Sequence, residues 1–232
     1  MNAISAANLC KRYERSGAPF HAVEDASLRV DRGEVVGIVG RSGSGKTTFL
    51  NMIAGLLSPS SGDIVVDGVD ILSLTDTQMS LLRNRSIGYV PQGQILLSNL
   101  TVFDNIRLPY YLARRDENVA GRTAFLLDEL GIGHLSDSYP ANLSGGEMRR
   151  VAIARAMMNK PAILLADEPT GDLDAENIRL VMDIFVTLAD RGVAVLFSTH
   201  EEDAVERAHR VVEMSSGRLS ERVSMEAGSA RE

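Results

Sequence analysis

Residues 35–53 read VVGIVGRSGSGKTTFLNMI, and the eight in the middle, Gly40–Thr47 (GRSGSGKT), match the pattern G-x-x-x-x-G-K-[ST]. Gly40, Gly43 and Gly45, with Arg41, Ser42 and Ser44 between them, form a loop able to turn tightly around a phosphate chain and aim its N–H groups inward. VVGIV before it reads as a buried strand, and TTFLNMIAGL after it reads as a helix starting at Lys46. That helix turns its positive end towards an anion. In this pattern Lys46 bridges the terminal phosphates, the Thr47 hydroxyl completes Mg²⁺ coordination, and Thr48 follows in the first helical turn.

Such a loop needs a metal partner after a second apolar strand, and ILLADE supplies one. Asp167 ends the strand where it would hold Mg²⁺ through water. Glu168 follows where a carboxylate orients or deprotonates an attacking water. His200 comes directly after VAVLFST, at the C-terminal end of a further strand and so on the ligand side of an open α/β sheet. A second Gly-rich stretch, LSGGEMRR (Leu143–Arg150), also opens a helix and is also suited to an anion. It lies about a hundred residues beyond the first, which raises the question of what a second such loop is for. The aspartate of a guanine-reading N/TKxD motif is missing from NKPA at Asn159–Ala162, which sets GTPases aside.

The bulk properties fit this picture. A length of 232 residues and 44% hydrophobic content support a buried core. With 24 basic and 31 acidic side chains the formal charge is −7, which opposes the broad basic face that nucleic acid needs. The single cysteine, Cys10, rules out an internal disulfide framework and fits a reducing compartment. No run reaches the length of a membrane span, and the N-terminus lacks the charged and apolar regions of a secretory signal. A cytoplasmic protein is expected, placed at a membrane only through another polypeptide.

Along the chain, strand patterns at Ala22–Val30, Val35–Val39, Gly62–Asp67, Ala162–Asp167 and Val193–Thr199 alternate with helical ones. Thr75–Arg85 reads as a short helix with a threonine cap, and residues 175–192 as a longer one. Between about Gln92 and Lys160 three helical segments follow one another, and RVVEMSSGRL reads as a terminal hairpin around Ser215–Gly217. The expected architecture is an α/β core interrupted by a helical insert, with a frayed polar tail at 225–232.

GRSGSGKT, Gln92 in GYVPQGQ, LSGGE, ILLADE, GDLD and His200, in that order, strongly resemble the ATP-binding cassette (ABC) ATPases across essentially the whole chain. The resemblance implies a P-loop core with an N-terminal antiparallel β subdomain, made of residues 1–91 and 160–224, and a helical subdomain at 92–159. It implies ATP and Mg²⁺ as cofactors. Tyr13 matches the aromatic that stacks on adenine, Asp167 the metal-holding aspartate and Glu168 the general base. Gln92, preferred to Gln94 by its place after YVP, matches the glutamine that reaches metal and water. Asp174 matches the D-loop aspartate and His200 the histidine that senses the terminal phosphate. LSGGE matches the signature motif, which in this family completes the nucleotide site of a partner cassette. Ser144 and the N–H groups of Gly145 and Gly146 would then grip the γ-phosphate bound to the other chain.

LSNLTVFDNIRLPYYLARR and SLTDTQMSLLRNRSIGYVPQ resemble the lipoprotein-releasing, macrolide-exporting and FtsE-like cell-division group. This implies a second ATPase subunit, an integral membrane permease-type subunit, and a peripheral position on the inner face of the cell membrane, with no nucleic-acid partner. Leu96, Leu97, Leu100, Val102 and Phe103 are candidates for a groove receiving a helix of that subunit, or else for helical core. A regulatory ATPase controlling an extracytoplasmic cell-wall hydrolase, and a soluble non-transport ABC ATPase, remain as alternatives. Two departures stand out: VPQ replaces the group's VFQ, and Glu147 and Met148 stand where Gln and then Gln or Arg are usual. Glu147 would carry a negative charge towards the pair interface if it faces the nucleotide.

Overall fold

A computed structural model describes residues 2–15, 18–93, 96–113 and 118–222. Six strands form one sheet in the order β10-β9-β3-β8-β7-β6: β3 (Val35–Val39), β6 (Ile87–Val90), β7 (Ile163–Asp167), β8 (Ala194–Thr199), β9 (Arg210–Ser215) and β10 (Arg218–Glu221). All neighbours run parallel except the hairpin of β9 and β10. Every residue of β3, β7 and β8 is buried, as expected of parallel strands covered on both faces.

The strand period of two sorts these side chains between two cores. Val35, Leu164, Ala166, Val195 and Phe197 face one layer, built from α3 (Val102–Ala113), α4 (Val119–Glu129), α5 (Gly145–Ala156) and α6 (Ala175–Asp190). Val36, Ile38, Ile163, Leu165, Ala194 and Leu196 face the other layer. It contains α1 (Lys46–Ile53) and an antiparallel sheet of order β2-β1-β4-β5, formed by β1 (Asn2–Arg15), β2 (Ala18–Asp31), β4 (Ser61–Val66) and β5 (Val69–Asp70). Two short helices complete the set, α2 (Asp76–Ser86) and α7 (Glu202–Val205).

Thr75 does cap α2: its side chain accepts from Gln78 N while Gln78 returns the bond, a capping box. β1 is absent from the sequence reading because its alternation breaks. Register shifts between Ala6 and Leu9, and again on to Lys11, interrupt the period of two. β6 gives no separate signal either, since α2 passes into it with no intervening loop.

Two features hold the helices between β6 and β7 in place. Asn105, fully buried on α3, accepts from Leu97 N at 2.8 Å and donates to the carbonyls of Leu97, Leu100 and Thr101. It thereby ties down the loop leading into its own helix. α3 continues through Pro109, whose carbonyl accepts from Asn84 Nδ2 (3.1 Å) and Asn159 Nδ2 (3.2 Å), a bracket to α2 and to the end of α5. Of the apolar groove candidates, Val102 is fully buried and Leu96 and Phe103 pack on the same core, so these three are helical core. Leu97 is 45% exposed. Gln94 and the tail beyond Arg222 lie outside the described residues.

Candidate active site

The loops after β3, β7 and β8 converge at the C-terminal edge of the sheet. After β3, Gly45 precedes α1 at φ 113°, and a Cβ there would come within 2.3 Å of Ala22 O, so only glycine fits. Gly217 N, in the β9–β10 turn, donates to Ser44 O at 2.9 Å and braces the loop from the other side. Lys46 is buried at 6% exposure. Its Nζ donates to Gly40 O (2.7 Å) and Arg41 O (3.4 Å) and pairs with Glu168 Oε1 at 3.2 Å. Folded back in this way, the ammonium lies at the base of an anion cradle.

Asp167 ends β7 at 1% exposure and accepts from Ser198 Oγ at 2.6 Å. The same hydroxyl accepts from Glu168 N at 3.0 Å, so one serine fixes both acids. Glu168 adopts φ 51°, a left-handed conformation uncommon for glutamate, which turns its carboxylate out of the strand line. Its Oε2 lies 2.7 Å from His200 Nδ1, and His200 Nε2 lies 3.3 Å from Glu201 Oε1. Lys46, Glu168 and His200 thus form one connected chain. Behind them Tyr89 donates to Asn51 Oδ1 at 2.8 Å; burial, with Asp167 nearby, pushes its hydroxyl up to about 12.

A cleft of about 670 Å³ opens over this group, lined by Ser42–Thr48, Gln92 and Glu168. Its far wall is Tyr13, which stacks on its cross-strand neighbour Phe20 with centroids 5.7 Å apart. Lys11 Nζ lies 5.4 Å from the Tyr13 ring. A second cleft, about 510 Å³, runs from Gln92, Glu168 and His200 to Gly145, Met148 and Arg149 at the start of α5. Burial lowers the Arg149 pKa, with Asp172 opposing the shift, and its Nη1 has no hydrogen-bond partner among the described residues. Glu168 and Gln92 form the wall common to both clefts.

The signature stretch lies apart from the phosphate loop. Ser144 caps α5 and Gly145 follows it; both are exposed, and neither lines the first cleft. Glu147 turns back on Ser144 and closes a capping box: Ser144 N and Oγ both donate to its Oε2 at 2.8 Å. Gly146 is buried against Asn177, whose Oδ1 would lie 2.0 Å from any added Cβ. Asp174 faces neither cleft. It caps α6, accepting from Asn177 N at 2.8 Å and from Asn177 Nδ2 at 3.0 and 3.1 Å, bonds that hold its carboxyl below the ordinary range.

Sequence reasoning missed Ser198, Phe20 and Asn177. Ser198 alone left a signal: Ser198 and Thr199 are polar residues ending an otherwise apolar buried strand just before His200. Phe20 and Asn177 matter only through partners across a sheet and between helices.

A parallel sheet with a phosphate loop after one strand and an acidic pair after another defines a P-loop NTPase. The chain belongs to the ABC transporter family, whose model matches residues 23–171, and it is an ATP-binding, ATP-hydrolysing subunit of that family. It is 40% identical over 201 residues to the lipoprotein-releasing system ATP-binding protein LolD of Aquifex aeolicus (strain VF5), covering 86% of this chain and 90% of that protein. Two solved structures of the cassette MJ0796 align with TM-score 0.86 over 94% of this chain and 98% of theirs. One, at 31% identity, is a dimeric post-hydrolysis state bound to ADP and Pi; the other, at 32%, is a dimer of this bacterial ABC transporter cassette. A nucleotide-free ABC cassette at 24% identity and TM-score 0.81, covering 94% of this chain and 90% of that one, shares the fold.

Proposed function

We propose that two copies of this chain close head to tail around two ATP molecules and drive an integral membrane subunit of the lipoprotein-releasing class from the inner face of the cell membrane. The observation that carries the pairing is the split between the two anion-binding elements. The phosphate loop, Lys46 and Glu168 line one cleft, while the capped start of α5 presents Ser144 and Gly145 to solvent away from it. An exposed helix N-terminus with a glycine pair is built for an anion, and in a head-to-tail pair that anion is the partner's nucleotide. LolD and the dimeric MJ0796 support this reading.

The first cleft fits a nucleotide. Ser44 Oγ is buried with no hydrogen-bond partner among the described residues, Lys46 supplies the buried cation, and Gly45 keeps the cradle clear of side chains. The Tyr13–Phe20 stack offers a face to a base. Mg²⁺ suits the oxygen donors present, namely the Thr47 hydroxyl, the Gln92 amide and the Asp167 carboxylate through water. When bound, it would neutralise developing phosphate charge. Glu168 accepts the proton of the attacking water, and His200 fixes the orientation of its carboxylate. The D-loop Asp174 acts through Asn177, which sets the position of Gly146 and so of the signature loop. Among the described residues no helix is long and apolar enough to cross a membrane, in keeping with a separate membrane subunit.

Mixing chains tests the pairing. Lys46→Ala ruins a chain's own phosphate loop, and Ser144→Arg ruins the site it offers its partner. Neither variant alone should hydrolyse ATP, yet their mixture should regain activity, because each mixed pair contains one undamaged composite site. An inactive mixture would refute the head-to-tail site. The membrane role is tested by affinity purification from detergent-solubilised membranes, where an integral membrane subunit should travel with the chain.

A further inference from the structure

We propose that Glu147 limits the lifetime of the ATP-closed pair by placing a fixed negative charge beside the serine that grips the partner's terminal phosphate. The inference rests on the head-to-tail site above and concerns how tightly that site holds.

The geometry defines what the glutamate does. Its Oε2 accepts from both Ser144 N and Ser144 Oγ at 2.8 Å, while Glu147 N donates to Ser144 Oγ at 3.4 Å. The serine hydroxyl has one proton, and that proton is committed to a carboxylate, so the oxygen presents lone pairs to an approaching phosphate. Donation to the phosphate requires breaking a charge-assisted bond, which is about twice as strong as a neutral one. Hydrogen bonds from Ser144, with Arg150 and His134 nearby, hold the Glu147 carboxyl below its ordinary range, so it is ionised throughout the working pH range. Shielding is weak. His134 Nε2 is 4.0 Å from Oε1, its side chain is two-thirds exposed, and no arginine or lysine makes an ion pair with Glu147 among the described residues.

Glutamine at this position would keep the helix cap, since Glu and Gln both close a capping box. It would replace the charge-assisted bond by a neutral one and remove the like charge. Glutamate thus strengthens the cap of its own helix, and the same charge repels the phosphate that the loop is to hold. A closed pair holds two such loops, so the effect enters twice.

The test measures dissociation of the ATP-bound pair in a Glu168→Gln background, in which hydrolysis no longer ends the closed state, with and without Glu147→Gln. Pairs labelled with donor and acceptor dyes are chased with excess unlabelled chain. At low salt the Glu147→Gln pair should outlive its parent about tenfold, from like charges a few ångströms apart at a partly hydrated interface. At about 1 M salt, where the screening length is about 3 Å, the ratio should fall towards one. Equal lifetimes at low salt would overturn the proposal and leave Glu147 as a helix cap. A longer lifetime that ignores salt would also overturn it, assigning the effect to shape rather than charge. Failure of both variants to pair on adding ATP would instead overturn the head-to-tail site beneath it.

Discussion

His200 Nδ1 stands 2.7 Å from Glu168 Oε2, while the other carboxylate oxygen is 3.2 Å from Lys46 Nζ. The carboxylate that would accept a proton from water is thus held from two sides, by a buried lysine anchored on the carbonyls of Gly40 and Arg41 and by a half-exposed ring just after β8. On the proposed function, a phosphate entering the cradle would compete for Lys46 and leave His200 as the orienting partner. His200→Ala should lower kcat about a hundredfold while ATP affinity changes only a few-fold, because the cleft proposed for the nucleotide is not lined by His200. Single-turnover hydrolysis and equilibrium nucleotide titration separate the two.

Ser198→Ala removes the hydroxyl that Asp167 and Glu168 share. A buried carboxylate oxygen loses its partner and the Glu168 N–H loses one of its two acceptors, at a cost of about 2 kcal/mol in unfolding free energy. Glu168 N retains its contact to Ser198 O at 3.2 Å, so the strand should survive and the protein should fold. Denaturant melts give the stability. The ATPase response to Mg²⁺ concentration should shift to higher values as Asp167 loses its fixed orientation.

Gly146→Ala drives a methyl group into Asn177 Oδ1, at a separation no real Cβ contact shows. Loss of ATP-dependent pairing is expected. Asn177→Gly alone should weaken pairing in part, since it loses the Asp174 bonds that position the loop, and the double variant should pair better than Gly146→Ala, giving a coupling energy of about 1–3 kcal/mol in a double-mutant cycle. Additive losses would show that the two residues do not touch in the working protein.

Tyr89 carries a pH dependence whose sign follows from linkage. Its hydroxyl titrates at about 12 in the folded chain and near 10 when unfolded, so between these values the unfolded state binds fewer protons and stability falls as pH rises. Tyr89→Phe should be about 1 kcal/mol less stable at pH 8, having lost the bond to Asn51, yet lose less on going to pH 11. Urea midpoints across this range check both statements.

How much of this was legible depended on whether the signal was local. VVGIV, ILLAD and VLFST are buried on both faces and therefore unbroken in sequence, so β3, β7 and β8 announced themselves along with the loops they launch. β1 did not, because Asn8, at φ 51°, and the adjoining register shifts scramble its alternation. The acids, the lysine and the histidine were readable as residues in a motif. Their connection through Ser198, and the backing of Tyr13 by Phe20, join positions far apart in the chain, and only the fold brings them together. Asp174 was readable as a motif position, but its engagement with Asn177 rather than with the cleft was not.

The turn between β9 and β10 closes the phosphate loop: Gly217 N reaches Ser44 O, and Gly217 O receives Glu24 N from β2. The proposed nucleotide cradle is therefore assembled from segments near residues 22, 45 and 217, the last of which is synthesised long after the loop it braces. A nascent chain can form β3 and its loop early, yet it lacks the strap that fixes their shape. Translation thus sets its own order of events, in which the loop is made first and takes its final shape only once the turn between β9 and β10 has emerged.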